Sequence, residues 1–344
     1  MPPDRQRITI IGTGCIGTSM GLALRQSPDA EYLEIVGHDR EPGLARQAQK
    51  LGAFDRVSLN LHIALDGASL IILAVPLAAM REALTDVGHV LAPDAGVVVT
   101  DTAPLKATVI EWAETLLPPG NHFVGADPFL APGTGGWEPL ESLKDARADL
   151  FSRAVYAITA RPEDPPYAVQ AVANLAAVLG AQPLFMDLAE HDAIRVIVDA
   201  VPGILATALF RATFTAPGWA DIRKAAGRSF ATATAAVSGD APSRRMCTLS
   251  ERDALLRGLD AVLVHLETLR ELITQGDAAV LESVFATTSH ARDGWITESR
   301  ERTWDTVRDS FAGDSLLRRT LRAQAGAVGK NDTGKHRSSR AKRR

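Results

Sequence analysis

The sequence predicts a mostly parallel α/β sheet domain followed by an all-α C-terminal domain, and three observations carry that prediction. Short β-rich runs alternate with helix-length segments through about the first 160 residues, the strand signal fades after about Pro165, and a glycine-rich turn joins the first strand to the first helix. The 344 residues, 46% hydrophobic and 23% charged, suit roughly two soluble domains of about 150 residues each and exclude disorder of the whole chain.

The elements follow from their residues. Arg7 to Ile11, Glu34 to Gly37, Leu70 to Val75, Gly96 to Thr100, His122 to Val124 and Val155 to Thr159 are β-rich runs of the length of buried strands. Thr18 to Gln26, Pro42 to Lys50, Ala78 to Val90 and Lys106 to Leu117 are helix-length segments between several of them. This alternation implies a sheet covered by helices on both faces, with its ligand beyond the carboxyl ends of the strands. Past Pro165, apart from a short Gln182 to Phe185 run, Pro166 to Leu179, Ala189 to Phe214, Ala254 to Gln275 and Ala278 to Ser289 read as helices. The expected division is 1–164 for the sheet domain, 165–312 for a helical substrate and dimerisation domain, and 327–344 for a disordered basic tail.

Leu255, Leu259, Val262, Leu266, Leu269 and Ile273 recur at spacings of 4, 3, 4, 3 and 4. Such a heptad-like stripe serves either an intramolecular core or a subunit contact, and a homodimer through the helical domain is the expected assembly. The net charge of -4 is a sum of unlike parts. Residues 330–344 carry seven Lys and Arg against Asp332, so the tail is +6 and the rest of the chain -10. A nucleic-acid role would have to reside in the tail, and none is expected. Cys15 and Cys247 form neither a disulfide framework nor a metal-ligand spacing, so no metal is expected and a reducing compartment fits. The N-terminal apolar run is too short for a signal segment. Ile194 to Phe214 is broken by Arg195, Asp199, Pro202 and Arg211, so no run reaches the roughly 18 uncharged residues of a membrane span. A cytoplasmic protein is expected.

Gly12-Thr13-Gly14-Cys15-Ile16-Gly17 matches G-x-G-x-x-G in its diagnostic setting, directly after a strand and opening a helix. Gly12 permits the tight turn, Gly14 lets the backbone approach a pyrophosphate, and Gly17 lets the helix pack closely. The second strand ends at Asp39, 22 residues beyond Gly17, where a carboxylate bonds the adenosine ribose. The first domain is therefore Rossmann-type. Asp39 repels a 2'-phosphate and favours NAD, whereas the neighbouring Arg40 stacks on adenine or accepts that phosphate, leaving NADP as the less favoured cofactor.

Val75-Pro76-Leu77, Thr100-Asp101-Thr102-Ala103-Pro104-Leu105-Lys106, Phe123-Val124-Gly125-Ala126-Asp127-Pro128, and Asp149-Leu150-Phe151 with Tyr156 and Thr159 resemble the prephenate and arogenate (cyclohexadienyl) dehydrogenases. Glu190-His191-Asp192, Val201-Pro202, Gly218-Trp219, Ser250-Glu251-Arg252-Asp253-Ala254 and Ala291-Arg292-Asp293-Gly294-Trp295 extend the resemblance to about Ser299. It implies an NAD-dependent oxidative decarboxylation in tyrosine biosynthesis. The ring C–OH gives hydride to nicotinamide, aromatisation drives off carbon dioxide, a base or acceptor holds the hydroxyl proton, and cations hold the carboxylates. By the same resemblance Val75, Pro76 and Asp101 belong to the cofactor site.

The chain departs from the family where the chemistry resides. Asp127 stands where the family has a His before Pro, Pro104 where it has a Ser before the x-Lys, and Asp199-Ala200-Val201-Pro202-Gly203 where it has Ser-His-Leu-Pro-His. Its carboxylate-binding Arg corresponds to Lys224, with Arg223 or Arg228 compensating by a small shift. Asp127 is either the replacement base or a turn residue before Pro128. Lys106 either orients substrate or nicotinamide or is solvated at a helix start, and His191 is either catalytic or a helix-packing residue. Two other readings stand beside the dehydrogenase of tyrosine synthesis. One is a divergent enzyme for an amino-substituted analogue, the other a cofactor-binding sensor or assembly partner without catalysis.

Overall fold

The computed structural model describes residues 5–134, 140 and 142–301; the basic tail expected at 327–344 and residues 302–312 of the expected helical domain lie outside the described residues. Two compact units divide the chain. The first holds residues 5–130 and 142–188, the second residues 131–134, 140 and 189–301.

The first unit is an eight-stranded sheet. Its strands are β1 (Gln6–Ile11), β2 (Leu33–His38), β3 (Arg56–Val57), β4 (Ala68–Leu73), β5 (Val98–Asp101), β6 (His122–Phe129), β7 (Val155–Thr159) and β8 (Gln182–Phe185), in the order β3-β2-β1-β4-β5-β6-β7-β8. Every neighbouring pair is parallel except β6 with β7. Its helices are α1 (Cys15–Gln26), α2 (Pro42–Lys50), α3 (Leu61–Leu65), α4 (Leu77–Val90), α5 (Lys106–Leu116) and α6 (Pro166–Val178). Successive connections run one way from β1 to β2 and β3, and the other way from β4 to β5 and β6. The reversal places a switch point between β1 and β4, where ligands of such sheets bind. Ile8, Ile10, Ile35, Val36, Leu70, Ile71, Ile72, Val98 and Val99 are fully buried. Their unbroken apolar runs are those of strands covered on both faces.

The structure moves two expected boundaries. The expected run at His122 to Val124 continues to Phe129, because β7 pairs antiparallel alongside Gly125 to Phe129 and overrides the low strand propensity of Gly125, Asp127 and Pro128. The sheet unit also extends past 164. Helix α6 packs on β6, β7 and β8, and β8 pairs in parallel with β7, so 165–188 belong with the sheet. The Ala-rich α6 is a crossover helix whose composition matches that of the helices after it.

The second unit contains α7 (Leu188–Arg195), α8 (Val201–Phe214), α9 (Trp219–Ala225), α10 (Arg228–Thr234), α11 (Ala241–Ser250), α12 (Arg252–Gln275) and α13 (Ala278–Glu301). A π turn over Val196–Ala200 joins α7 to α8. The resulting 27-residue helix, Leu188–Phe214, is long and apolar enough by length and composition to cross a membrane, although Arg195, Asp199 and Arg211 interrupt it as the sequence expectation had it. Arg195 and Asp199 pair within it one turn apart. The stripe on α12 divides between its two expected roles. Leu255 is buried against Val196 and Val201, and Leu259 and Val262 pack beside it, whereas Leu266 and Ile273 are 51% and 64% exposed.

Candidate active site

The glycine turn is built as its spacing requires. Gly12 has φ +95°, and a Cβ there would stand 2.3 Å from the Ala74 carbonyl oxygen. At Gly17 a Cβ would stand 1.9 Å from the Gly12 carbonyl oxygen, so α1 rests directly on the turn. Around Gly14 a Cβ would meet nothing within 4 Å, which leaves the open space a pyrophosphate needs at the start of a twelve-residue helix with no acid in its first turn. Gly17→Ala is therefore expected to cost about 1–3 kcal/mol of stability by overpacking. Gly14→Ala should fold normally yet weaken cofactor binding at least tenfold, since its methyl enters the open space; thermal melts and cofactor titration check both.

Asp39 directly follows β2, with its carboxylate fixed. One oxygen accepts from Thr13 N at 2.7 Å and Thr13 Oγ1 at 3.0 Å, the other from Glu41 N at 2.9 Å. Gly12, Gly14, Asp39, Arg40, Val75 and Pro76 all line one cavity of about 320 Å³ at the carboxyl ends of β1, β2 and β4. Thr13 is fully buried, and its amide is engaged by Asp39. Cys15 is buried, with its thiol pushed up first by burial and then by Asp145, so it is not a reactive thiolate. Ile16 is half-buried in α1. A wider depression of about 800 Å³ lies at the amino ends of the strands, beside Gln6, Ala68 and Val97, the wrong edge for a ligand of such a sheet.

Asp101 and Lys106 form a buried brace. Both side chains are 0% exposed; Lys106 Nζ donates to Asp101 and, at 2.7 Å, to the Ala126 carbonyl. The Asp101 carboxylate also accepts from Ala126 N at 3.0 Å and Ala103 N at 3.1 Å. Burial pushes its carboxyl above the usual range, against the lowering effect of Lys106 and the two amides. Lys106 is thus not the solvated residue of a helix start, and Asp101, expected in the cofactor site, has its carboxylate turned into the protein interior. The pair fixes Ala126, the residue before Asp127. Gly125 makes this possible: a Cβ there would come within 2.6 Å of Thr159 Oγ1 and 3.2 Å of Lys106 Cδ.

Asp127 is 1% exposed and lies inside β6, opposite Ala157 of β7, with Pro128 opposite Tyr156. The turn reading is therefore corrected, since Asp127-Pro128 is strand. Register and alternation place Asp127 on the same face of the sheet as Asp101 and Gly125, one step further toward the carboxyl edge. The Tyr156 hydroxyl is fully buried with no hydrogen-bond partner among the described residues. Its phenol is pushed up first by burial and then by Asp101 and Asp127, so Tyr156 stays protonated and is no competing base.

In the second unit His191 is fully buried, and its Nδ1 lies 2.8 Å from an Asp192 carboxylate oxygen. Arg223 and Lys224 are exposed on α9, with Lys224 bonded to Asp221 at 2.8 Å. Arg228 lines a shallow depression of about 530 Å³ with Thr213, Ile222 and Phe230. Sequence reasoning missed Glu82 and Asp86, which join the cofactor cavity from α4. Acids on an amphipathic helix read as a solvated face, and only the fold turns them toward β2.

These features define the class: a Rossmann-type dinucleotide-binding sheet followed along the chain by a helical unit. The nucleotide-binding domain of prephenate dehydrogenase matches residues 20–184, ending in β8. The chain is 25% identical over 291 residues to prephenate dehydrogenase of Bacillus subtilis (strain 168), covering 84% of this chain and 76% of that one. It is 26% identical over 290 residues to cyclohexadienyl dehydrogenase of Zymomonas mobilis, covering 83% and 95%. Among solved structures it resembles prephenate dehydrogenase from A. aeolicus in complex with hydroxyphenyl propionate and NAD+, with a TM-score of 0.71 and 21% identity, covering 84% and 98%. Along most of its length the chain is thus similar to prephenate and cyclohexadienyl dehydrogenases, and its sheet unit matches their nucleotide-binding domain.

Proposed function

We propose that the protein is an NAD-dependent dehydrogenase that oxidatively decarboxylates a cyclohexadienyl substrate, prephenate or arogenate, in tyrosine biosynthesis. The observation that carries this reading is the buried Asp127, held by β7 and the Asp101–Lys106 brace; by the resemblance of its motif it stands where the family has a histidine. Gly12, Gly14, Asp39, Val75 and Pro76 hold the dinucleotide, whose nicotinamide takes up hydride when bound. Asp127 accepts a hydrogen bond from the ring hydroxyl and holds its proton while hydride leaves the same carbon. The ring carboxylate departs as carbon dioxide, its bonding pair completes the aromatic ring, and the proton taken up by Asp127 as hydride leaves returns to the phenolic oxygen. His191, fixed by Asp192, assists in the catalytic machinery, and Arg223, Lys224 and Arg228 supply cations for the substrate carboxylates. Mixing the protein with NAD and either prephenate or arogenate should give reduced cofactor with at least one of them. Cofactor binding without turnover of either overturns the proposal.

The protein is further proposed to act in the cytoplasm as a homodimer formed through the helical unit. Support comes from the apolar surface of α12 and α13, where Leu263, Leu266, Ile273, Phe285 and Trp295 are each at least half exposed. In sedimentation, Leu266→Glu should shift a dimer toward monomer at micromolar concentration. A wild-type protein that is monomeric at every concentration contradicts this assembly.

A further inference from the structure

The cofactor cavity has an acidic wall that the glycine turn and Asp39 do not account for. Among the described residues lining it, Asp39, Glu41, Glu82 and Asp86 are acidic and Arg40 carries a guanidinium. Glu82 and Asp86 are one turn apart on α4, so they present carboxylates along one side of the helix. Arg40 Nη1 lies 3.7 Å from Glu82 Oε2, and both side chains are more than 70% exposed. Asp39 cannot swing aside, because three hydrogen bonds from Thr13 and Glu41 hold both of its oxygens.

We infer that Glu82 is a specificity-determining residue for the cofactor: it draws Arg40 toward α4 and away from the ribose edge of Asp39, and so denies a 2'-phosphate its cation. The inference rests on the dinucleotide reading of this cavity. Arg40 is the residue that would otherwise accept NADP, since a guanidinium next to the acid at the end of β2 can fork onto a phosphate. With Glu82 in place the guanidinium is shared with a carboxylate, and the wall adds a like charge facing any phosphate at that position. The contacts are exposed, so the effect is moderate rather than absolute.

The test is titration of the purified full chain with NADH and with NADPH, read by the fluorescence of the bound reduced nicotinamide. Wild type should bind NADH more tightly. Glu82→Gln, which keeps the shape and removes the charge, should lower the ratio of the NADPH Kd to the NADH Kd about fivefold to tenfold. Adding Arg40→Ala to Glu82→Gln should return that ratio to the wild-type value or above it. A ratio within twofold of wild type in Glu82→Gln overturns the inference, and so does a gain that survives Arg40→Ala. Failure of the wild type to bind either nucleotide is a different outcome, one that overturns the dinucleotide reading itself.

Discussion

Lys106→Met is expected to cost about 3–5 kcal/mol of stability at neutral pH, among the largest losses any single side chain of the sheet unit should give. The substitution keeps the aliphatic length and deletes only the ammonium, leaving the Asp101 carboxylate buried with two amide donors and no cation. The loss should depend on pH with a definite sign. Burial already raises the Asp101 carboxyl, and removing Lys106 raises it further. Between the ordinary carboxylate range and that raised value the folded variant binds the proton more tightly than the unfolded chain, so its stability falls as pH rises through the window. The deficit relative to wild type should therefore shrink on going from about pH 8 to about pH 5. Urea melts at several pH values measure this, and a deficit independent of pH would mean that Asp101 is not left as a buried charge. Lys106→Met, Asp101→Asn should recover part of the loss, because it removes the stranded carboxylate as well.

Asp127→Asn should lower turnover by about 10²–10⁴-fold, the range of a lost general base, while the fold and NAD binding persist. Asparagine is isosteric, and β6 keeps its pairing with β7 through the backbone. The amide can no longer hold the hydroxyl proton as the hydride leaves. Asp127→His supplies a different acceptor at the same place. It should turn over prephenate faster than Asp127→Asn, with a pH profile shifted toward the range of an imidazole. Equal rates for the wild type and Asp127→Asn would remove Asp127 from the chemistry.

Much of the sheet unit was legible because its signals are local. The G-x-G-x-x-G turn, the acid closing β2 and the apolar runs of β1, β4 and β5 each need only neighbouring residues to be read. What was not legible depends on partners distant in sequence. Gly125, Asp127 and Pro128 read as a loop until β7, some thirty residues later, pairs with them. Lys106 reads as a solvated helix start until Asp101 and the Ala126 carbonyl enclose it. α6 reads as the first member of the helical region because its Ala-rich face fits a sheet and a bundle equally well. The α12 stripe gave two readings, and the helix realises the core at its first turns and an exposed apolar face further on. The seven-residue helices α9 and α10 are too brief for periodicity to show, and α11, Ala241–Ser250, has too few apolar residues to mark a face.

If Asp127 serves as the base, oxidation of the ring hydroxyl is coupled to loss of carbon dioxide. The most direct measurement is the stoichiometry of the two products when the wild-type protein is mixed with NAD and prephenate or arogenate, with reduced nicotinamide followed by absorbance and carbon dioxide trapped from a carboxyl-labelled ring. One carbon dioxide is expected for each hydride transferred, together with an aromatic product. Reduced cofactor formed without carbon dioxide, or no reduced cofactor with either substrate, would contradict this coupling.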